Sequence, residues 1–152
     1  MHTKRLTVGD RDLARRVFAT MAAVFDEDAS ATLSDEYLDR LLGRPEFWAL
    51  AALRGDDVLG GLTAHTLPMT RAEVSELFIY DLAVRPEFQR QGVGRALVAA
   101  LRVAGSAEGI NDAFVPADNE DTHALDFYRA VGGDPASVTI FSFSSSAGAS
   151  GA

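Results

Sequence analysis

The sequence contains no cysteine among its 152 residues. This absence excludes disulfide bonds, thiolate zinc sites and a cysteine nucleophile, so the chemistry must use oxygen, nitrogen or backbone groups. Histidine is scarce, with only His2, His65 and His123. No apolar run has the length of a membrane span, and no basic-then-apolar segment opens the chain. We therefore expect a cytoplasmic protein with no membrane partner.

Basic residues are also few, since 14 Lys and Arg stand against 22 Asp and Glu, for a formal net charge of -8. This balance argues against nucleic acid and favours cationic partners. The stretches 26–36 and 112–126 each contain five acidic residues and no basic one. Four arginines instead lie within 85–102. We expect an anionic end and a cationic end.

The chain has the length of one domain, and its 47% hydrophobic residues suffice for one core. The patterns predict the order βααβββαβαβ, an α/β fold with helices flanking a mixed, mostly antiparallel central sheet and a strand-turn-helix crossover in its middle. The predicted strands cover 4–8, 47–53, 58–67, 75–84, 113–116 and 138–143, and the helices begin after Asp10, after Ser34, at Val93 and at Ala124. We predict a single domain over 1–143 and a disordered Ser, Gly and Ala tail over 144–152.

A glycine turn, Gln89-Arg90-Gln91-Gly92-Val93-Gly94, joins the strand over 75–84 to the next helix. A helix that begins with Gly-x-Gly presents backbone N–H groups and the positive end of its dipole, which suits an anion such as phosphate. Two glycines before a helix more often make only a tight turn. The motif has neither Gly-Lys-Ser/Thr nor a Rossmann G-x-G-x-x-G, so the remaining candidate is a pyrophosphate held by amides.

Asp81 lies inside the otherwise apolar strand 75–84. Strict alternation would place Asp81 on the same face as Leu77 and Ile79. Its carboxylate could tie down a neighbouring amide at a bulge, or it could bind an ammonium group and act as a general base. Glu76 is the rival base on the same strand, and both interpretations stay open at this point.

The run "LAVRPEFQRQGVGRAL" resembles the acyl-coenzyme A signature of the GCN5-related N-acetyltransferases, and "NEDTHALDFYRAVGG" is similar to the second motif of that family. The resemblance implies the family's fold, with the sheet split at a bulged strand. It also implies acetyl-CoA as the acetyl donor, with no metal. The residues that the resemblance assigns to coenzyme A are Leu82, Ala83, Val84, Gln89, Arg90, Gln91, Gly92, Val93, Gly94 and Arg95.

A narrower resemblance, carried by "SELFIYDLAV" within residues 47–143, is to the type I aminoglycoside 3-N-acetyltransferases. It implies acetylation of a 3-amino group, as in gentamicin, by direct attack in a ternary complex, with Asp81 as the base and Tyr128 as the proton donor. His65 departs from this group, which tends to have tyrosine there. The resemblance also raises a possible homodimer. The candidate substrate-binding residues are Glu27, Asp28, Glu76, Tyr80, Asp118, Glu120 and Asp121.

Other functions remain open because the family signature reports the donor and not the acceptor. One alternative is acetylation of another polyamine, small amine or peptide amine, and another is a non-catalytic acyl-CoA-binding module. A tyrosine phenol is protonated at neutral pH and can give a proton to a thiolate, yet a helical tyrosine more often only packs. The acidic candidates could equally form a solvated rim or cap a helix. His65 could contact substrate or be structural.

Overall fold

A computed structural model describes residues 1–27 and 32–145 of the chain. The strands are β1 (His2–Arg5), β2 (Phe47–Arg54), β3 (Asp57–Pro68), β4 (Ser75–Val84) and β5 (Asp112–Phe114), and the helices are α1 (Arg11–Val24), α2 (Asp35–Leu42), α3 (Val93–Ala107) and α4 (Thr122–Ala130). Short 3-10 helices cover Val8–Asp10 and Pro86–Phe88. In the described ranges no helix is long and apolar enough to span a membrane.

The chain divides into two compact units, Met1–Ala117 and Asp118–Ala152. The first contains all five strands with α1, α2 and α3, and the second contains α4. The single domain expected over residues 1–143 stays a prediction.

The sheet has the order β1-β2-β3-β4-β5 and is antiparallel except for the parallel pair of β4 and β5, which α3 connects. This arrangement confirms the predicted fold class and the strand-turn-helix crossover. β5 pairs only with Glu76–Phe78 of β4. From Ile79 onward, β4 therefore has a single strand neighbour, β3, among the described residues. The sheet opens at this point.

Helices cover both faces of the sheet. On one face, Gly61 of β3 lets α1 approach closely, because a Cβ at Gly61 would lie 2.6 Å from Cγ1 of Val17. On the other face, Gly105 of α3 lies over Leu77 of β4 in the same manner, with 2.8 Å from its would-be Cβ to Cδ1. β2 is buried from Phe47 to Leu53, as expected for a strand between two helical layers.

α2 is fixed at its start and against α1. The Ser34 hydroxyl accepts the Tyr37 backbone N–H at 3.1 Å, which confirms the predicted N-cap, and Gly43 ends the helix. Arg11 of α1 donates two hydrogen bonds to Asp39 of α2, Nε to Oδ1 at 2.9 Å and Nη2 to Oδ2 at 2.6 Å. These charge-assisted bonds lower the pKa of Asp39. α2 is thereby held in a defined position beside α1.

The predicted cap at Asp10 has a different role. Asp10 precedes α1, but its carboxylate accepts from the Thr7 backbone N–H at 2.9 Å and from Lys4 Nζ at 2.8 Å. The hydrogen bond with Lys4 is the main cause of its lowered pKa. The reason is the 3-10 turn at Val8–Asp10, which ends the first strand at Arg5 and engages Asp10 before α1 begins.

The final strand predicted over 138–143 is wrong for the single chain. These residues have no regular secondary structure, and they pair with no strand in the part of the chain that the structure describes. Val138, Ile140 and Phe143 are 67%, 68% and 98% exposed. Alternation of apolar residues is a local signal, whereas a strand needs a partner. Of the predicted tail, residues 146–152 lie outside the described residues.

Candidate active site

β4 contains a bulge at Tyr80. In the pairing with β3, Thr63 lies opposite Asp81 and Ala64 lies opposite Ile79. Two consecutive residues of β3 thus face three of β4, and Tyr80 is the extra one. A bulge of this kind bends the strand and changes the direction of the side chains that follow. Tyr80 itself is 61% exposed.

The bulge changes the face on which Asp81 lies. Thr63 and His65 are two residues apart on β3, so their side chains share a face. Asp81 lies opposite the former and Phe78 opposite the latter. Because paired residues share a face, Asp81 lies with Phe78 and not with Ile79. The strict alternation predicted through Asp81 is therefore wrong, and the extra residue is the reason.

The face that carries Asp81 borders a cleft of about 390 Å³ beside α1 and α2, which we call the Asp81 cleft. Its walls are largely aromatic, and its polar groups include two carboxylates. The residues that line it include Phe18, Phe47, His65, Tyr80, Glu27 and Asp81. The cleft is thus an apolar groove with negative charge at its lining.

A row of rings, the aromatic strip, crosses four strands on this face. Centroids lie 5.4 Å apart for Phe47 and His65, and 5.9 Å apart for His65 and Tyr80. The row continues from Tyr80 to Phe78 at 5.6 Å and ends on Phe114, which stacks on Phe78 at 5.0 Å and 13°. Tyr80 and Phe114 are exposed, so the strip runs from the cleft onto open surface.

The Asp81 carboxylate is half-buried and has no hydrogen-bond donor or cation beside it among residues 1–27 and 32–145. Burial raises its pKa, and the nearby negative charge of Glu27 raises the pKa further. A carboxylate withdrawn from water without a partner costs free energy, and such groups concentrate at functional sites. The alternative in which Asp81 ties down a neighbouring amide finds no such amide in the described chain.

Glu27 reaches the same cleft from the end of α1. Its backbone N–H donates to the Ala22 carbonyl at 2.9 Å, which fixes the turn that follows the helix. Its predicted neighbour Asp28 lies outside the described residues. Glu76 lies opposite Leu67 and beside Asp112 of β5, and it is absent from the described lining of the Asp81 cleft. Of the two candidate bases, only Asp81 is among the described residues that line this cleft.

The glycine turn has the geometry of an anion site. Gly92 has φ 84° and precedes the first residue of α3, and a Cβ at this position would meet nothing within 4 Å. The first N–H groups of a helix have no partner within it, and those of Val93 and Gly94 lie at the positive end of the helix dipole. Gln89 Nε2 fixes the turn by donating to the Val84 carbonyl at 3.0 Å.

Other features of the turn also show a well-defined conformation. Arg90 has φ 62°, and Gln91 Nε2 donates to the Glu87 carbonyl at 3.1 Å. Residues 82–84 pair with 60–62 of β3 on one side, and no described strand covers their other side. An extended ligand could therefore hydrogen-bond along this edge and reach the turn.

The second unit gives local roles to two of the acidic candidates. The Asp121 carboxylate caps α4 by accepting the Ala124 N–H at 3.0 Å. The Asp118 carboxylate accepts the Glu120 N–H at 2.8 Å. Tyr128 is half-buried on α4. Roles of Asp118, Glu120 and Asp121 in substrate binding, and of Tyr128 in proton transfer, stay predictions.

Apart from Tyr80 and His65, the aromatic walls of the cleft were missed by sequence reasoning. Phe18, Phe25 and Phe47 read as ordinary core positions of a helix or a strand, and Tyr37 as part of the apolar face of α2. They are recognised as site residues only because they line the same cleft as Asp81. Within the described ranges, no group of three or more His, Asp or Glu could hold a metal ion.

Comparison with known proteins identifies the family of the chain. The acetyltransferase (GNAT) family matches residues 14–132. An aminoglycoside acetyltransferase from an uncultured soil metagenomic sample, meta-AAC0020, whose structure contains sisomicin, is 31% identical with a TM-score of 0.90, over 94% of this chain and 95% of that one. Another from such a sample, HMB0005, is 33% identical with a TM-score of 0.90, over 95% and 98%.

A more distant structure shows the fold alone. The aminoglycoside N-acetyltransferase AAC(6')-Iy in complex with CoA is 15% identical with a TM-score of 0.77, over 95% of each chain. No protein with a curated description matches the chain. The bulged strand, the glycine turn and the family match lead to one conclusion: the chain belongs to the GNAT family of acetyltransferases and resembles its aminoglycoside acetyltransferases.

Proposed function

We propose that this protein transfers the acetyl group of acetyl-CoA to the 3-amino group of 2-deoxystreptamine aminoglycosides such as gentamicin, by direct attack in a ternary complex. The observation that carries the proposal is the half-buried Asp81 carboxylate, unpartnered among the described residues, in a cleft that Glu27 also lines. Sisomicin in the structure of the relative meta-AAC0020 supports the substrate class.

The Asp81 cleft is chemically complementary to a cationic sugar. An aminoglycoside carries several ammonium groups, and each can neutralise a carboxylate that the protein leaves without a cation. The aromatic strip offers flat apolar faces on which the C–H faces of sugar rings can pack. The net charge of -8 steers a polycation towards the protein. Spermidine would satisfy the charges but would leave the broad ring faces without a matching partner.

Asp81 and Tyr128 divide the proton transfers. Asp81 first holds the ammonium group and then accepts its proton, directly or through one water. The neutral amine attacks the thioester carbonyl, so that an N–C bond forms and the C–S bond breaks, and the second proton on the nitrogen passes to water. Tyr128 gives its proton to the departing thiolate and regains one from water. The raised pKa of Asp81 makes the carboxylate a stronger base than an ordinary aspartate, which favours this role near neutral pH.

The glycine turn would hold the donor. The backbone N–H groups of residues 91–95 suit the pyrophosphate of coenzyme A, because the helix dipole and the absence of a side chain at Gly92 leave room for an anion. The open edge of β4 at residues 82–84 suits the amides of the pantetheine arm. The 3-amino position rests on the resemblance of "SELFIYDLAV" to the type I enzymes.

An acceptor panel with acetyl-CoA tests the proposal. We expect coenzyme A release with gentamicin and sisomicin, and mass and NMR spectra of the product should locate the acetyl group on the 3-amino nitrogen. Acetylation at another amine would overturn the regiochemistry alone. Faster transfer to spermidine or a peptide amine would favour the second acetyltransferase hypothesis. Tight acetyl-CoA binding with no transfer to any acceptor would favour a non-catalytic module.

A further inference from the structure

Thr63 of β3 faces the proposed base across the strand pair. It lies directly opposite Asp81 and lines the Asp81 cleft. Directly opposed residues have Cβ atoms about 4.5–5.5 Å apart and side chains on the same face. The hydroxyl oxygen is one bond from Cβ and the carboxylate oxygens are two bonds from it, so both groups can contact one atom placed between them. Thr63 and Asp81 thus form a pair of polar groups on the floor of the cleft.

The Thr63 hydroxyl hydrogen-bonds to no group in the part of the chain that the structure describes. Its neighbour on β2 is the buried Ala49, which offers only a methyl group. Gly61, two residues earlier on the same face, has no side chain, and Met21 of α1 covers that position. A hydroxyl has one donor and two acceptor positions. These are left for whatever occupies the cleft.

On the same strand, the hydroxyl of Thr66 has a structural role. Its oxygen accepts the Nε1–H of Trp48 at 2.8 Å, and Trp48 is fully buried. Thr63 is half-buried and has Ala49 and α1 beside it. A branched side chain suits such a strand position, and valine would fill it without a hydroxyl. Packing therefore accounts for the shape of the residue at 63 and not for its oxygen.

An amine that is held at Asp81 needs further hydrogen-bond acceptors. A protonated primary amine has three N–H donors, and the Asp81 carboxylate accepts one of them. A donor that leaves water for an apolar groove without an acceptor costs free energy. The Thr63 oxygen is an acceptor that the fold places beside the carboxylate. The two groups together therefore suit one ammonium group better than either does alone.

We propose that the Thr63 hydroxyl accepts a hydrogen bond from the same acceptor nitrogen that Asp81 deprotonates, and so orients this nitrogen for attack. The inference rests on the proposed function, in which an amine occupies the cleft. After it loses a proton, the amine has two N–H groups and one electron pair. When the N–H groups point to Thr63 and Asp81, the pair takes the third direction, away from both oxygens. A fixed direction of this kind favours the attacking step.

His65 is the other polar neighbour of Thr63 on this face. Its ring lies between those of Phe47 and Tyr80, with centroids 5.4 Å and 5.9 Å away, and so belongs to the aromatic strip. On β4 it lies opposite Phe78, whereas Thr63 lies opposite Asp81. The register therefore assigns the contact with the nitrogen on Asp81 to Thr63.

Thr63→Val tests the contact because it removes the hydroxyl and keeps a branched side chain. It should lower kcat with gentamicin by about 10- to 100-fold, the range of a hydrogen bond to a charged group. The KM for acetyl-CoA and the melting temperature should stay at wild-type values. Thr63→Ser keeps a hydroxyl and should stay within about 3-fold of wild-type kcat. Thr3→Val is the matched control, at a half-buried threonine of β1 outside the described cleft, and should have wild-type kcat.

Four kinetic outcomes would overturn the proposal. One is wild-type kcat in Thr63→Val, and a second is an equal loss in Thr3→Val, which would mean a general effect on the sheet. A third is a loss in Thr63→Ser as large as that in Thr63→Val, since the serine hydroxyl should restore the contact. His65→Phe should lower kcat less than Thr63→Val does, and a larger loss in His65→Phe would assign the contact to the imidazole.

A crystal structure with sisomicin gives an independent readout. One nitrogen should lie within about 2.7–3.2 Å of both Thr63 Oγ1 and the Asp81 carboxylate. A nitrogen on Asp81 that is beyond hydrogen-bond distance of Oγ1 would contradict the inference. If the wild type acetylates spermidine and no aminoglycoside, the proposed function fails, and the same loss in Thr63→Val is expected with spermidine. Transfer to no amine at all would overturn both.

Discussion

The glycine turn and the Asp81 cleft present opposite charges by opposite means. The turn is built from consecutive residues, 89–94, and would bind through backbone N–H groups at the start of α3. The cleft is built from side chains on α1, α2, β2, β3 and β4, and it presents carboxylates. A site formed by backbone groups is therefore a property of one local segment, whereas a site formed by side chains depends on which segments the fold brings together.

The two regions also differ in what a substitution should do. A new side chain at Gly92 changes the donor site without removing any group that reacts. A change at Asp81 removes the proposed base and relieves the cost of a buried charge. Donor binding, acceptor binding and turnover should therefore respond separately to substitution.

Asp81→Asn should lower kcat by about 10² to 10⁴, because a general base contributes on that order. Binding of acetyl-CoA, measured by calorimetry, should change little, since Asp81 lines the cleft proposed for the acceptor and the glycine turn begins only at Gln89. Glu76→Gln is the comparison variant. If it lowers kcat more than Asp81→Asn does, the base is Glu76.

The same Asp81→Asn variant should have a higher melting temperature at neutral pH. Burial and Glu27 raise the pKa of Asp81 in the folded state above its ordinary value of 3.8. Between these two values the folded state binds more protons than the unfolded state, so stability falls as the pH rises and stays lower above the window. Asparagine removes this loss. A lower melting temperature would indicate a structural role for the carboxylate.

Gly92→Glu should weaken acetyl-CoA binding by on the order of 10²-fold or more, since a carboxylate placed against a pyrophosphate costs several kcal/mol. Gly109→Glu is a matched control at the other end of α3. Gly92 and Gly109 have φ 84° and 80°, and a Cβ at either meets nothing within 4 Å, so strain and new charge are equal. Equal weakening in both variants would contradict a phosphate site at the turn.

Glu27→Gln should raise the KM for gentamicin by roughly 3- to 10-fold, the range of a partly exposed ion pair, and leave the KM for acetyl-CoA unchanged. The effect should shrink as salt is added. Asp26→Asn removes the same charge from the same loop at a residue that does not line the described cleft. An equal effect in both variants would mean general steering and no direct contact.

Glu27→Gln should also shift the acidic limb of kcat/KM to lower pH. The negative charge of Glu27 contributes to the raised pKa of Asp81, so its removal lowers that pKa and keeps the base ionised in more acidic solution. A pH–rate profile from pH 4 to 8 measures the shift. A shift to higher pH would contradict the coupling of the two carboxylates.

Much of the fold followed from local signals. The strand Ser75–Val84 has the predicted bounds, α3 begins at Val93 as predicted, and Ser34 caps α2. Each signal lies within a few residues of the feature it predicts, namely a cap, a glycine or an alternating run. Asp10 shows the limit of such signals, because the short turn before α1 gives its carboxylate other partners.

The candidate site was only partly predictable. Asp81 stood out as a charge in an apolar strand, and the residues of the glycine turn stood out by their spacing. Glu27 was named from the acidic stretch 26–36, but its place beside Asp81 depends on the packing of α1 against the sheet. The walls formed by Phe18, Phe25 and Phe47 depend on the same packing, and no local pattern separates these three residues from ordinary core positions. The final predicted strand over 138–143 failed for the same reason, because pairing requires an edge elsewhere.

By itself the sequence determined most of the elements, the glycine turn and the presence of an unusual carboxylate, because each depends on contiguous residues. Tertiary structure decided where that carboxylate lies. One extra residue, Tyr80, turns Asp81 from the face of Ile79 to the face of Phe78. The register of β4 against β3 sets that bulge, and register is a relation between two strands. The register also places Asp81 in the cleft that Glu27 lines. Burial there and, to a smaller extent, the charge of Glu27 raise the pKa of Asp81, on which the proposed chemistry depends.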